Sequence, residues 1–258
     1  MRLQLLSDLH LETENFQPRA AADAELLVLA GDIDATWAAY ERFVGWPVPV
    51  VVVAGNHEFD GRELDEAWPR FGERLEALGL TLLERESLVV TGRDGRRVRL
   101  SGTVRWCDFD LLGSAQRERC MRASHYFLRL MGATQRGQPL LAEPLRVEAL
   151  ACADWLEREL AEPGRGRWDA TVAITHFAPS QASADPRYGL TPATASFANA
   201  DDRLIPRADL WLHGHLHCRH DYRVPRPGRT PTRVVCNARG LDGKGESAGY
   251  DGVFTVDV

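Results

Sequence analysis

Five short apolar runs along this chain each give way to a glycine, a carboxylate or a histidine, and this pattern constrains the fold more than any other feature. Leu3-Gln4-Leu5-Leu6 precedes Asp8, and Leu26-Leu27-Val28-Leu29-Ala30 precedes Gly31-Asp32. Val50-Val51-Val52-Val53-Ala54 precedes Gly55-Asn56-His57. Thr171-Val172-Ala173-Ile174-Thr175 precedes His176, and Leu210-Trp211-Leu212 precedes His213-Gly214-His215. Runs this short, flanked so closely by glycine, suit strands covered on both faces better than buried helices. Such strands gather residues distant in sequence onto one rim of a sheet. Gly31, Gly55 and Gly214 stand where each strand turns into a loop. A residue without Cβ allows unusual torsions there and a close backbone approach.

The intervening pattern predicts helices over residues 37–44, 63–78, 114–131 and 145–160, with a break at Pro69 in the second and Pro163-Gly164 ending the last. Asp94-Gly95 lies between the apolar runs 88–91 and 97–103, which predicts a hairpin. Two more strands are predicted at 233–236 and 253–256. The sum is an α/β chain: a four-layer α/β/β/α sandwich of two mixed sheets flanked by helices. Residues 179–206 are polar and turn-rich, and a loop of that length is usually functional or mobile.

The 258 residues, 44% of them hydrophobic, suffice for one substantial core. Ligand-type residues run from 8 to 217, so residues 1–258 are read as a single domain. A net charge of −6 with interspersed signs argues against a nucleic-acid sleeve, without excluding nucleic acid. It is no obstacle to a phosphate substrate, because bound cations supply local positive charge. The five cysteines, 107, 120, 152, 218 and 236, form no Cys-x-x-Cys pair and read as thiols of a reducing compartment. Cys218, beside His217, is a weaker ligand candidate than its neighbours. No targeting segment and no 18-residue apolar stretch is visible, so a cytoplasmic protein without a membrane partner is expected.

Asp8, His10, Asp32, Asn56, His176, His215 and His217 offer carboxylate, imidazole and amide donors, which suit manganese, iron or zinc. Five ordered blocks carry them: Asp8-Leu9-His10, Gly31-Asp32, Gly55-Asn56-His57-Glu58, His176, and Gly214-His215-Leu216-His217. In this order the blocks resemble the calcineurin-like metallophosphoesterase family, over roughly residues 1–240. The resemblance implies the same sandwich, with a metal site at the C-terminal ends of strands. It implies two divalent or transition-metal ions, one held by Asp8, His10, Asp32 and His217, the other by Asp32, Asn56, His176 and His215, with Asp32 bridging. It also implies hydrolysis of a small phosphate ester, diester or monoester, by attack on phosphorus of a hydroxide held between the ions. His57 would serve catalysis at the leaving group without binding metal. A nuclease, or a metal-binding scaffold without turnover, is the alternative.

Protein phosphatases of the family continue Gly-Asp with an Asp-Arg-Gly that is missing after Gly31-Asp32-Ile33-Asp34. The aspartate partner of the catalytic histidine is therefore absent at residue 35, and folded phosphoproteins are expected to be poor substrates. The closer resemblance is to small bacterial members, through the runs 6–12, 102–109, 196–199 and 235–240. Trp106, Phe109 and Tyr126 are candidate pocket walls as well as ordinary core aromatics. Arg105, Arg122 and Arg239 are candidates to grip a phosphate, with surface arginine the simpler reading of each. His213, His125 and His220 read as structural or exposed, and Asp34 as a turn residue.

Overall fold

The computed structural model describes residues 1–164 and 166–258. The first strands are β1 (Arg2–Leu6), β2 (Leu26–Ala30), β3 (Val50–Val53), β4 (Thr81–Leu82), β5 (Glu86–Thr91) and β6 (Arg97–Thr103). There follow a short hairpin of β7 (Thr134–Gln135) and β8 (Gln138–Pro139), then β9 (Ala170–Thr175), β10 (Leu210–His213), β11 (His220–Arg226), β12 (Arg229–Cys236) and β13 (Thr255–Asp257). The helices are α1 (Leu64–Ala77), α2 (Arg117–Met131) and α3 (Ala142–Ala161).

Two mixed sheets result, in the orders β13-β1-β2-β3-β4 and β11-β12-β10-β9-β6-β5. Strands β1 to β4 run parallel, as do β6, β9, β10 and β12, with the other members antiparallel at the edges. Because side chains alternate along a strand, each apolar run divides between two cores. Leu3, Leu5, Leu26, Val28, Val51 and Val53 meet Val98, Val172, Ile174, Leu210, Leu212 and Val235 between the sheets. Leu27, Leu29, Val50 and Val52 face outward onto Phe71 and Leu75 of α1. Ala173, Trp211 and Val234 face the other way, onto Leu156 and Leu160 of α3. These are the four layers expected, and they explain why the strand runs are apolar at nearly every position.

Several local expectations are corrected. Helix α1 runs through Pro69 without a break, because Leu64, Ala67, Phe71 and Leu75 form one buried stripe. Pro69 lies on the exposed side of the helix. Residues 37–44 make only a 3₁₀ turn, Ala38–Phe43. Helix α3 begins at Ala142, before the predicted start, since Pro144 is tolerated in a first turn. Strand β11 has no counterpart among the predicted strands: its burial alternates and Pro225 interrupts it, which is acceptable on a sheet edge.

The two sheets are joined at the end where the apolar runs stop. Ser7 pairs with Ala238 beyond β12, and Asn237 Nδ2 donates to Leu5 O (2.8 Å). No helix among the described residues is long and apolar enough to cross a membrane.

Candidate metal centre

Parallel pairing places the ends of β1, β2 and β3 beside one another, and those of β9 and β10 opposite them. The loops leaving these ends are strained. Asp8, His10, Asp32, His215 and His217 all adopt left-handed backbone, with φ of 53°, 47°, 53°, 73° and 48°. Such torsions cost about 1–3 kcal/mol each and persist only where the surroundings impose them. Here the loops bond to one another: Asp8 N–H donates to Gly31 O (3.0 Å) and His10 N–H to Asp32 O (3.1 Å). His215 N–H donates to Asp8 Oδ1 (2.9 Å), and His57 N–H to Asp32 Oδ1 (2.9 Å).

Of the three glycines before these residues, only Gly31 has left-handed backbone, with φ 89°. Gly55 and Gly214 are needed for proximity. A Cβ on Gly55 would lie 2.1 Å from Asp32 Oδ1, and one on Gly214 would lie 2.6 Å from Asp8 Oδ2. Each therefore makes room for a carboxylate supplied by another loop.

Two groups of donors close around Asp32. Asp8, His10, Asp32 and His217 form one, and Asp32, His176 and His215 the other, with the donor atoms in each within 4.8 Å of one another. Each imidazole has one nitrogen engaged from behind. His10 Nδ1 lies 3.2 Å from Glu12 Oε1, and His217 Nδ1 lies 2.7 Å from Glu246 Oε2. His176 Nδ1 lies 2.8 Å from Ala30 O, and His215 Nε2 lies 3.3 Å from Ser196 O. The opposite nitrogens are thereby aimed inward. His10 Nε2 and His217 Nε2 face each other at 3.0 Å. If both rings donate from Nδ1, two lone pairs meet there, an arrangement that a cation relieves.

Asn56 Oδ1 and His215 Nδ1 are buried without a hydrogen-bond partner, and the equally buried Asp32 Oδ2 and His176 Nε2 face only each other, at 3.2 Å. Lone pairs so placed are costly unless a donor or cation meets them, so the residues fit a metal site. Burial alone would raise the Asp32 pKa, but the imidazoles of His176, His57 and His10 hold it well below the ordinary carboxylate range. Burial also opposes the charge on Glu246, but its bonds to His217 and to the Leu241 N–H take it down to about 2. Cys218 belongs to neither donor group. The other four cysteines are buried and all five are free.

His57 lies beside the first group, its ring centroid 5.0 Å from that of His10, and its side chain is 38% exposed, so it can reach a bound molecule. Residue 35 is an alanine, as the sequence shows, and a carboxylate comes from elsewhere: His57 Nδ1 lies 2.6 Å from Asp60 Oδ2, three residues along the same loop. Glu58, fully buried, binds the loops together. It accepts from Asp32 N (3.0 Å), Ile33 N (2.8 Å), Gly55 N (2.6 Å) and Tyr40 Oη (2.9 Å). Asp34 caps its own turn through Thr36 N (2.9 Å), and His213 is packed against Ser183 Oγ (3.0 Å).

All three arginine candidates are paired with carboxylates, and Arg105 and Arg239 are buried, not surface residues. The buried Arg105 guanidinium is bidentate to Asp201 (2.9 and 2.8 Å) and also bonds to Asp108 (2.8 Å). Arg239 is tied to Glu14 (2.9 Å) and Asp242 (2.8 Å), and Arg122 pairs with Glu118 on an exposed face of α2. The aromatic candidates fare differently. Trp106, Phe109 and Tyr126 all line a cavity of about 930 Å3 that opens from the donor cluster, joined by Phe177 and Phe197. The first two are also core residues; Tyr126 is 65% exposed.

Sequence reasoning missed Glu12, Asp60 and Glu246 as partners of the imidazoles. Glu12 sits two residues after His10, where a strand-like alternation already hints at it. Glu246 had no local signal, since it lies 29 positions from His217.

Carboxylates and imidazoles that converge at the strand ends of a two-sheet sandwich make this a candidate metal centre. The calcineurin-like phosphoesterase family model matches residues 1–219, and the chain belongs to that family. It is a metal-dependent phosphoester hydrolase. The fold is shared with the phosphopantetheinyl hydrolase of Mycobacterium tuberculosis, at TM-score 0.71 and 16% identity over 98% of this chain and 95% of that one. A putative 5'-nucleotidase from Staphylococcus aureus gives TM-score 0.54 and 13% identity over 93% of this chain and 49% of that one. No curated protein sequence matches the chain.

Proposed function

We propose that the chain cleaves a small phosphate ester with two divalent or transition-metal ions, manganese foremost and iron or zinc as alternatives. One ion is assigned to Asp8, His10, Asp32 and His217, the other to Asp32, Asn56, His176 and His215, so Asp32 is shared. Residues 1–258 act as one domain in this reading, because the donors come from both sheets. The observation that carries it is the pair of donor groups that share Asp32, one of Asp8, His10, Asp32 and His217 and the other of Asp32, His176 and His215. Bound there, the ions would supply Lewis acidity toward a phosphoryl oxygen and lower the pKa of water.

The chain's own side chains do the remaining work. His57 is assigned to protonate the leaving-group oxygen, or to stabilise charge as the ester bond breaks. Asp60 holds the His57 ring by Nδ1, which leaves Nε2 toward the cavity. Phe177 and Phe197 flank His215, with ring centroids 4.1 and 5.1 Å away, and keep water from that side of the cluster. The names of the two structural neighbours, a phosphopantetheinyl hydrolase and a 5'-nucleotidase, are in keeping with a small phosphate ester.

The test is metal analysis joined to a metal-by-substrate matrix on the purified protein, including mono- and bis-aryl phosphates, cyclic nucleotides, single-stranded DNA and a phosphoserine protein. Two ions per chain under saturating manganese and turnover of small esters are expected. At most one ion would overturn the two-ion assignment, and faster turnover of the phosphoprotein would overturn the small-substrate reading.

A further inference from the structure

The cavity beside the donor cluster is built for something other than a polar alcohol. Its volume of about 930 Å3 is near the top of the range for small-molecule sites. One wall is α2, which contributes Phe127, Leu130 and Met131; Leu145 of α3 and Phe197 continue it. At the mouth, Tyr126, Leu130 and Tyr188 stand 65%, 68% and 69% exposed, although large apolar groups are normally withdrawn from water. Among the described residues, Lys244 is the only lysine or arginine that lines the cavity, and the cavity's carboxylates are already engaged, Glu12, Asp60 and Glu246 by imidazoles and Asp185 by Arg187. A substrate with several phosphates would find a single cationic side chain, Lys244, for the phosphates beyond the cluster. One phosphate can sit at the cluster, and the alcohol portion attached to it would lie against a largely apolar wall.

From this geometry we infer that the substrate is the phosphate ester of a single-chain apolar alcohol, taken up as a monomer with its chain along α2. The inference rests on the phosphoesterase reading above and names its substrate class. Water's oxygen bonds to phosphorus, the P–O bond to the alcohol breaks, and the alcohol leaves with a proton. Tyr126, Leu130 and Tyr188 set the preference for chain length.

Two ester series from ethyl to decyl, alkyl phosphates and p-nitrophenyl alkyl phosphates, would be assayed below their micelle concentrations with manganese. In at least one series kcat/KM should climb with length, by about fourfold for each methylene that enters the cavity. Binding of the matching alkylphosphonates, followed by calorimetry, gives a readout free of turnover. Affinity should rise with length, and the heat-capacity change should become more negative. Leu130→Gln and Tyr188→Ser, both at exposed positions, should flatten that dependence. Turnover and phosphonate binding that do not change with length would overturn this inference and leave the phosphoesterase reading standing. No turnover of any ester by manganese-loaded protein would overturn both.

Discussion

The two halves of the donor cluster are backed by different chemistry. In the first, His10 and His217 lean on the carboxylates of Glu12 and Glu246. In the second, His176 and His215 lean on the carbonyls of Ala30 and Ser196. The first half thus gathers four carboxylates, Asp8, Asp32, Glu12 and Glu246, whereas the second has only that of Asp32. A carboxylate behind an imidazole raises its basicity, and more negative charge at short range holds a cation harder. The first half should therefore bind its ion more tightly, and the second should be emptied first by a chelator.

Asp32→Asn is the strongest way to break the comparison, because it weakens both halves at once. Metal analysis should show both ions depleted and activity lost by more than the ~10–100-fold typical of a partner lying behind the donors. Loss confined to one ion would show that Asp32 is not shared.

His57→Ala should leave both ions and the fold intact while kcat falls by about 10²–10⁴-fold on esters with poor leaving groups. If His57 delivers a proton, the loss should shrink for nitrophenyl esters. If it stabilises charge on phosphorus, the loss should be similar for both kinds. Loss of an ion in this variant, or full activity on an alkyl ester, would show that the assigned role is wrong.

Glu246→Gln probes the first half alone. Metal affinity there should drop by ~10–100-fold, so that the two halves become similar in a chelator titration. An unchanged order of release would mean that the carboxylates behind the imidazoles do not set the difference.

The last test lies outside the cluster, at a buried carboxylate with no imidazole partner, and touches stability and not the metal site. Burial pushes Glu84 up to about 7, although it accepts from Val104 N–H (2.7 Å) and Thr103 Oγ1 (3.2 Å). Its folded pKa lies above the unfolded value, so its stabilising contribution is full below about 4.5 and is lost as pH rises through about 7. Glu84→Gln should flatten the pH dependence of thermal unfolding over that window, by up to about 3 kcal/mol. An unchanged pH profile would show that another group titrates there.

Much of the fold was legible because its strands are buried on both faces. Leu26-Leu27-Val28-Leu29-Ala30 announces itself by continuous apolarity, while β11, half exposed on an edge, does not. Pro69 misled because a local rule about proline gives way when a stripe such as Leu64, Ala67, Phe71 and Leu75 is buried by tertiary packing.

The donors were legible for a related reason. Each must leave a strand end through a tight loop, and that requirement writes Gly31-Asp32, Gly55-Asn56 and Gly214-His215 into adjacent positions. The partners of those donors obey no such local rule. Asp60 reaches His57 because the loop curls back, and Glu246 reaches His217 across 29 residues because Leu241 N–H and the turn at residues 242–244 hold it there. Arg105 carries a charge that in sequence could serve a phosphate, and only packing shows it spent on Asp201 and Asp108. The sequence by itself determined which carboxylates and imidazoles would stand at the strand ends, because that pattern is local. The charge behind each imidazole, and the apolar wall that α2 raises beside the cluster, were decided by contacts between segments far apart in the chain, which one-dimensional spacing does not encode.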